Sequence, residues 1–114
     1  MANTVQSRKA KGRRLQQQVR DDVIRTFGLS ELDVRSTSMG ASGTDVMLSQ
    51  AGIEAFPFST ECKNNEKLNI WSALSQAESN TVEGTEPLVV FKRNGSETYA
   101  CLRWEALLGV LRCD

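Results

Sequence analysis

The stretch Phe-Pro-Phe-Ser-Thr-Glu-Cys-Lys-Asn at residues 56–64 has the aromatic and β-branched side chains of a β-strand. Successive side chains of a strand point to opposite faces, so Phe58 and Cys62 lie together on an apolar face. Glu61 and Lys63 share the other face. We therefore predict that this second face is not fully buried.

A second strand is predicted upstream, at Asp45-Val46-Met47-Leu48. If the two strands pair as a hairpin centred near Ile53, Asp45 falls opposite Glu61. This register brings the two carboxylates together beside the ammonium group of Lys63. The sequence thus predicts two acids and one lysine at a single place in a sheet.

The remaining elements alternate between helices and strands. Apolar residues at helical spacing predict the helices, and short apolar runs bounded by turn signals predict the strands. The complete order, α-β-β-β-α-β-β-α, is typical of an α/β domain. Outside the hairpin, whose connection is 49–55, the elements are a first helix carrying Leu15, Val19, Val23 and Phe27 and ending at Gly28, a strand at 33–36, a helix at about 66–79 capped by Asn64 or Asn65, strands at 87–92 and 98–103, and a helix at 104–111.

The chain has 114 residues, which suits one two-layer domain, and it has no histidine. Lack of histidine excludes a Ser-His-Asp triad, a Cys-His nucleophile and zinc sites that need histidine, so catalysis would run on carboxylates, lysine, water or a hard metal ion. Cys62, Cys101 and Cys113 fit no disulfide framework and are predicted to be reduced, the first two in the strand core. Without an apolar run of membrane-span length or a secretory signal, we expect a cytoplasmic protein with no membrane partner.

Charge is distributed unevenly along a chain whose formal net charge is zero. Residues 1–20 contain six of the 14 basic residues and none of the 14 acidic ones. We predict a flexible basic arm at residues 1–12, followed by a single domain at residues 13–114. Such an arm either contacts nucleic-acid phosphates or is a solvated tail that aids solubility, and charge alone does not separate the two.

The predicted acid pair indicates a metal site. Two carboxylates held side by side repel each other unless a cation lies between them. Mg²⁺, bound by oxygen ligands and several waters, meets that requirement at Asp45 and Glu61. Lys63 would then help to activate water or neutralise charge on a phosphate in the transition state. The small-residue loop at 37–44 is either an ordinary turn or a place where a phosphate approaches the metal.

These residues resemble the core of a known superfamily. Asp45 followed by Glu61-Cys62-Lys63 is similar to the D…E-x-K pattern of the PD-(D/E)XK nucleases, and the element order is similar to their restriction-endonuclease-like fold. The loop Ser38-Met39-Gly40-Ala41-Ser42-Gly43-Thr44-Asp45 resembles that of small archaeal-type Holliday junction resolvases and of related phage-encoded endonucleases. The basic segment 9–14 and the strand 88–92 extend the resemblance over nearly the whole chain.

The resemblance implies a central mixed β-sheet of about five strands flanked by helices. It implies Mg²⁺-dependent hydrolysis of DNA phosphodiester bonds, with Mn²⁺ as a substitute ion. Asp45 and Glu61 would be the metal ligands and Lys63 the catalytic lysine. It further implies a homodimer that acts on branched or junction DNA in recombination, within the host cytoplasm if the chain is phage-encoded.

Some positions depart from the superfamily pattern or are ambiguous. Thr44 stands where a proline usually precedes the aspartate, a position without chemistry. Gln16 or Gln17 lies in the first-helix region where many members have a metal-bound glutamate, which favours one metal ion over two. Gln76 either orients the lysine or a phosphate, as in some families of the superfamily, or is an ordinary surface residue.

The alternative function is a non-catalytic nucleic-acid-binding module whose acids are structural. Arg35 is either a phosphate contact or a solvent-facing edge residue. Trp71 and Trp104 are predicted as core or interface anchors. The predicted nucleic-acid contacts are Arg8, Lys9, Lys11, Arg13, Arg14, Arg35, Ser38, Gly40, Ser42 and Gly43.

Overall fold

The computed structural model describes residues 4–37 and 43–112. In these residues it has the helices and strands of an α/β protein, which confirms the predicted class. The elements are α1 (Val5–Phe27), β1 (Val34–Ser36), β2 (Val46–Leu48), α2 (Gln50–Ala55), β3 (Phe58–Asn64), α3 (Ile70–Ser79), β4 (Glu86–Lys92), β5 (Tyr99–Leu102) and α4 (Trp104–Leu111).

The described strands form two sheets in place of one sheet of about five strands. β1 and β2 pair antiparallel, and a second sheet has the order β3-β4-β5. In that sheet β3 and β4 are parallel, with α3 as the crossover between them, and β4 and β5 are antiparallel. The three-stranded sheet is therefore mixed.

The predicted hairpin between β2 and β3 is wrong. Its connection contains helix α2, whose N-cap Ser49 accepts a hydrogen bond from the N–H of Gly52 at 3.1 Å. A capped helix carries the chain away from a tight turn, so β2 pairs with β1 instead. The N–H of Asp45 nevertheless donates to the carbonyl of Thr60 at 3.0 Å, so the start of β2 touches β3.

Helix α1 begins much earlier than its apolar stripe. Thr4 is the N-cap and accepts a hydrogen bond from the N–H of Ser7 at 3.0 Å, so the helix takes in most of the segment predicted as an arm. The long basic side chains there are good helix formers, and they extend the helix toward the N-terminus. The predicted end is confirmed, because Gly28 adopts a left-handed conformation with φ of 65°.

The core lies on both faces of the three-stranded sheet. On one face Cys62 packs with Leu15, Val19 and Val23 of α1. On the other face Val89 packs with alanines of α3, and Cys101 lies partly buried beside them. Cys62 and Cys101 are free thiols, as predicted, and Cys113 lies outside the described residues. The sheet is therefore covered by one helix on each side.

The later helices agree with their predicted positions in different degrees. Helix α3 begins at Ile70, and its N-cap is Asn69, whose side chain accepts from the N–H of Ser72 at 3.1 Å. The predicted caps Asn64 and Asn65 are wrong because β3 and its pairing with β4 extend to Asn64. Helix α4 has its predicted bounds.

Trp71 and Trp104 were predicted to be core or interface anchors, and the structure excludes the core for both. Trp71 and Trp104 are 77% and 69% exposed, so neither is a core residue of the described chain.

Over residues 4–37 and 43–112, no helix combines the length and apolarity required to cross a membrane.

Candidate active site

Two hydrogen bonds to the backbone of β3, one from the N–H and one to the carboxylate of Asp45, hold this residue against the strand. Its N–H donates to the carbonyl of Thr60, and its Oδ2 accepts a hydrogen bond from the N–H of Cys62 at 2.8 Å. The hydroxyl of Thr44 also donates to the carbonyl of Thr60, at 3.0 Å. The position where a proline was expected thus carries a threonine that helps to fix the aspartate.

The face that Glu61 and Lys63 share was predicted to be not fully buried, which holds for half-buried Lys63 but not for buried Glu61. Its residue surface is 3% exposed, because β3 is covered on both faces along most of its length. The side chain hydrogen-bonds with Asp45 and with Asn80 at the end of α3. The predicted meeting of the two acids therefore occurs, although the predicted hairpin does not.

Asp45 makes Glu61 harder to ionise, whereas the hydrogen bond with Glu61 lowers the pKa of Asp45. Burial is the largest cause that raises the pKa of Glu61, to about 7, and the charge of Asp45 adds to it. Burial also raises the pKa of Asp45, against the hydrogen bond from the N–H of Cys62 and the attraction of Lys63. Near neutral pH the pair therefore holds up to one proton that a cation would displace.

Lys63 supplies the positive charge of the site. Its ammonium group lowers the pKa of both Asp45 and Glu61, so it lies within electrostatic range of each. Within the described residues, however, it forms no ion pair with either acid at contact distance. Lys63, which is half-buried as a residue, is therefore available to pair with an anion that enters the site.

Of the two first-helix glutamines, the structure brings Gln16 to the site. Gln16 is 3% exposed and its side chain hydrogen-bonds with Asp45, lowering the pKa of that carboxyl. Gln17 is exposed on the next position of the helix. Sequence reasoning did not choose between Gln16 and Gln17. The apolar stripe of α1 is the signal that separates them, since Gln16 lies beside Leu15 on the buried side.

The structure does not bring Gln76 to the carboxyl pair. Gln76 is exposed on α3, and within the described chain its side chain makes no hydrogen bond with either acid. Asn80, one helical turn later, is the α3 residue that reaches Glu61. Sequence reasoning missed it because it lies at the helix end, where an asparagine is an unremarkable capping residue.

The donor set fits a hard divalent ion with few protein ligands. Oε1 of Glu61 is buried and accepts no hydrogen bond from any described residue, so one carboxylate oxygen is free to coordinate. Over residues 4–37 and 43–112 there is no group of three or more histidine, cysteine, aspartate or glutamate side chains around a common point. A site with two carboxylates suits Mg²⁺, which keeps several waters and often takes only one or two protein carboxylates.

The predicted nucleic-acid contacts that the structure describes lie on α1, on β1 and in the segment before β2. Arg8, Lys9, Lys11, Arg13 and Arg14 lie on α1, and all but Lys11 are exposed. Arg35 is exposed on β1, as either of its two interpretations requires. Gly43 has φ of 98°, a conformation that favours glycine. The remaining predicted contacts, Ser38, Gly40 and Ser42, lie outside the described residues.

Comparison with known proteins does not assign this geometry to a family. No protein-family model matches the chain, and no curated protein or solved structure matches it either.

Proposed function

We propose that the protein is a Mg²⁺-dependent DNA endonuclease of the PD-(D/E)XK type. The observation that carries the proposal is a pair of neighbouring acids, buried Glu61 and half-buried Asp45, with Lys63 in electrostatic range and in no ion pair within the described residues. Burying two carboxyl groups together is costly unless they bind something. A divalent cation compensates that cost, and the lysine suits the charge that develops on a phosphate.

The side chains divide the chemistry among them. Asp45 and Glu61 would hold the ion, which when bound would activate water and offset charge on the phosphate. Lys63 would donate to the phosphate oxygens as their charge grows. Gln16 orients Asp45 through their hydrogen bond, and Asn80 does the same for Glu61. None of these steps needs histidine, which the chain lacks.

The fold lends partial support to a restriction-endonuclease-like architecture. The parallel β3–α3–β4 unit with α1 on the opposite face has the layers that this architecture requires. The bond from the N–H of Asp45 to Thr60 is one link between the two sheets. We propose that this link belongs to a single central sheet of five strands in the DNA-bound state.

We also propose that the protein is a homodimer that pairs through α4, and that its two sites act on junction DNA. Helix α4 has no buried residue, and Leu111 on it is 72% exposed. Beside the helix lies an apolar groove of about 1130 Å³ that includes Phe56 and Val110. Because helix and groove adjoin on one surface, two copies related by a two-fold axis would each place α4 against the other.

Replacing Leu111 by glutamate is expected to convert this dimer to a monomer, since it would place a charge in an apolar interface. Sedimentation equilibrium measures the mass, and Leu32→Glu is the matched control because Leu32 is 84% exposed and is neither on α4 nor in the lining of the groove. A wild-type protein that is monomeric at all concentrations tested would refute the dimer, and so would a Leu111→Glu variant that still pairs.

The endonuclease proposal is tested by metal removal. We expect the full chain to cleave a labelled synthetic four-way junction in Mg²⁺ or Mn²⁺, and to leave it intact in EDTA. Linear duplex and supercoiled plasmid of the same sequence measure the preference for branched DNA. Tight binding to these DNAs without cleavage in either ion would instead support the non-catalytic nucleic-acid-binding module.

A further inference from the structure

The carboxyl ends of β3 and β4 open into three adjoining depressions that the endonuclease proposal does not use. One is an apolar pocket of about 460 Å³, here called the Tyr99 pocket, lined by Leu68, Ile70, Phe91, Arg93, Ser96 and Tyr99 among others. The other two, of about 410 and 290 Å³, share Lys11 and Asn64 and are here called the basic cleft. Lys92 lines both the pocket and the cleft, so they are continuous.

The Tyr99 pocket offers an aromatic surface to solvent. The rings of Phe91 and Tyr99 have centroids 6.0 Å apart and planes tilted by 30°, so the two rings form one wall. Tyr99 is 57% exposed, which leaves much of its ring uncovered. Leu68 and Ile70, at the start of α3, supply apolar contacts on another side. A flat aromatic ligand would cover a surface that water covers otherwise.

The basic cleft brings cations together from parts of the chain that are far apart in sequence. Arg8, Lys11 and Arg14 come from α1, Lys67 from the loop before α3, and Lys92 from the end of β4. No ion pair engages any of them within residues 4–37 and 43–112. The nearest acid in the lining, Glu66, accepts a hydrogen bond from the N–H of Asn94 at 2.7 Å. The cleft thus has an excess of uncompensated positive charge.

We propose that the Tyr99 pocket and the basic cleft together bind an unpaired stretch of a DNA strand, with a base stacked on Tyr99 and the adjoining phosphates in the cleft. An aromatic platform beside a cationic groove is the combination by which proteins bind single-stranded DNA. A paired base is covered by its neighbours in the duplex and exposes no face to such a platform. The ligand is therefore a single-stranded segment and not a continuous duplex.

This inference deepens the proposed function, on which it rests for the identity of the substrate. Asn64 in the cleft follows Glu61 by three positions on β3, so the two sites are roughly 10 Å apart along the strand. That separation equals a few nucleotides of a DNA chain. The enzyme would accordingly prefer substrates with unpaired nucleotides close to the cleaved bond, such as a flap or the open centre of a branched DNA.

Fluorescence anisotropy of labelled oligo-dT of 12 nucleotides, measured with the full chain in EDTA, tests the inference without any cleavage. We expect Tyr99→Leu, which keeps an apolar side chain but loses the ring, to weaken oligo-dT binding about 10-fold. The salt dependence of binding should not change, because the variant removes no charge. Tyr99→Phe should bind as the wild type does, and Trp71→Leu is the matched control because Trp71 is 77% exposed and lines neither the pocket nor the cleft.

The cationic half is tested by the double variant Lys11→Gln and Lys92→Gln. It should reduce the slope of log K against log salt by roughly 1.4, since each phosphate contact on a single strand contributes about 0.7.

A blunt 12-base-pair duplex tests whether the aromatic half requires unpaired bases. Binding of this duplex should change less than 2-fold for Tyr99→Leu.

The outcomes separate this inference from the endonuclease proposal. The inference is overturned if Tyr99→Leu loses duplex and oligo-dT binding equally. It is also overturned if that variant, with unchanged thermal melting, binds oligo-dT as the wild type does. An unchanged salt slope in the double variant would overturn the proposal that phosphates lie in the basic cleft. If oligo-dT binding behaves as expected but no DNA is cleaved in Mg²⁺, the endonuclease proposal fails and the binding site stands.

Discussion

Replacing Lys63 by methionine is expected to lower the rate of Mg²⁺-dependent DNA cleavage by about 10²- to 10³-fold, because a positioned donor to a charge that develops in the transition state contributes that much. Methionine keeps an unbranched apolar stem of similar length, so packing around the half-buried side chain is preserved. The rate is measured on the branched substrate at saturating protein, so that weaker binding does not enter the result.

The control for this variant is Arg25→Met, which removes an exposed cation at the far end of α1, where Arg25 bonds to Asp22. It should cleave at the wild-type rate. Mg²⁺ should still protect Lys63→Met against thermal unfolding, since the proposed ligands Asp45 and Glu61 are intact. Cleavage by Lys63→Met at the wild-type rate would contradict the assigned role of the lysine.

Glu61→Gln is expected to stabilise the metal-free protein at pH 8 while it abolishes cleavage. The pKa of Glu61 is about 7 in the folded protein and 4.5 for the free side chain, so the folded state binds more protons than the unfolded state between these values. Stability therefore falls as pH rises from 4.5 to 7, by about 3 kcal/mol for a shift of this size. The raised pKa of Asp45 acts in the same direction.

A glutamine carries no charge to bury, so Glu61→Gln should lose only the part of this stability that the titration of Asp45 removes. Thermal melting in EDTA from pH 4.5 to 8 measures the difference, which at pH 8 should be about 10 °C in favour of the variant. Glu31→Gln, at an exposed position, is the control and should follow the wild type. Below pH 4.5 other groups contribute, among them Asp33, whose pKa is lowered mainly by the N–H of Ser30.

Mg²⁺ should reverse the comparison at pH 8. The ion binds the charged pair in the wild type and so recovers stability that repulsion removes, whereas the variant keeps only one of the two carboxylates. A wild type whose melting temperature is flat with pH in EDTA, or that Mg²⁺ fails to raise, would show that the acids are paired for another reason.

Local pattern was sufficient for the elements whose ends carry their own signals. Gly28 ends α1 because the left-handed conformation there suits a residue without a side chain, and the sequence places it directly after the apolar stripe. The bounds of α4 follow similarly from its apolar spacing. The predicted hairpin register also placed Asp45, Glu61 and Lys63 together, and the structure brings them together although the hairpin itself is absent.

The route by which they meet was not predicted. A hairpin and a helix-containing connection both bring Asp45 to β3, and the N-cap residue Ser49 followed by several helix formers in residues 50–55 is a local signal that the hairpin interpretation missed. The N-cap at Ser49 and the pairing of β2 with β1 decide it, and the second of these involves residues distant in sequence. Burial of Glu61 is likewise a tertiary effect, because alternation along a strand shows which residues share a face but not what covers it.

Composition, spacing and helix ends thus specify the class of fold, the acids and lysine of the candidate site, and the cationic residues of α1. Packing supplies what depends on distant parts of the chain: the contacts of Gln16 with Asp45 and of Asn80 with Glu61, the raised pKa values and the basic cleft. Residue types and their spacing act locally, whereas desolvation and charge proximity arise only when β3, α1 and the end of α3 enclose the same volume.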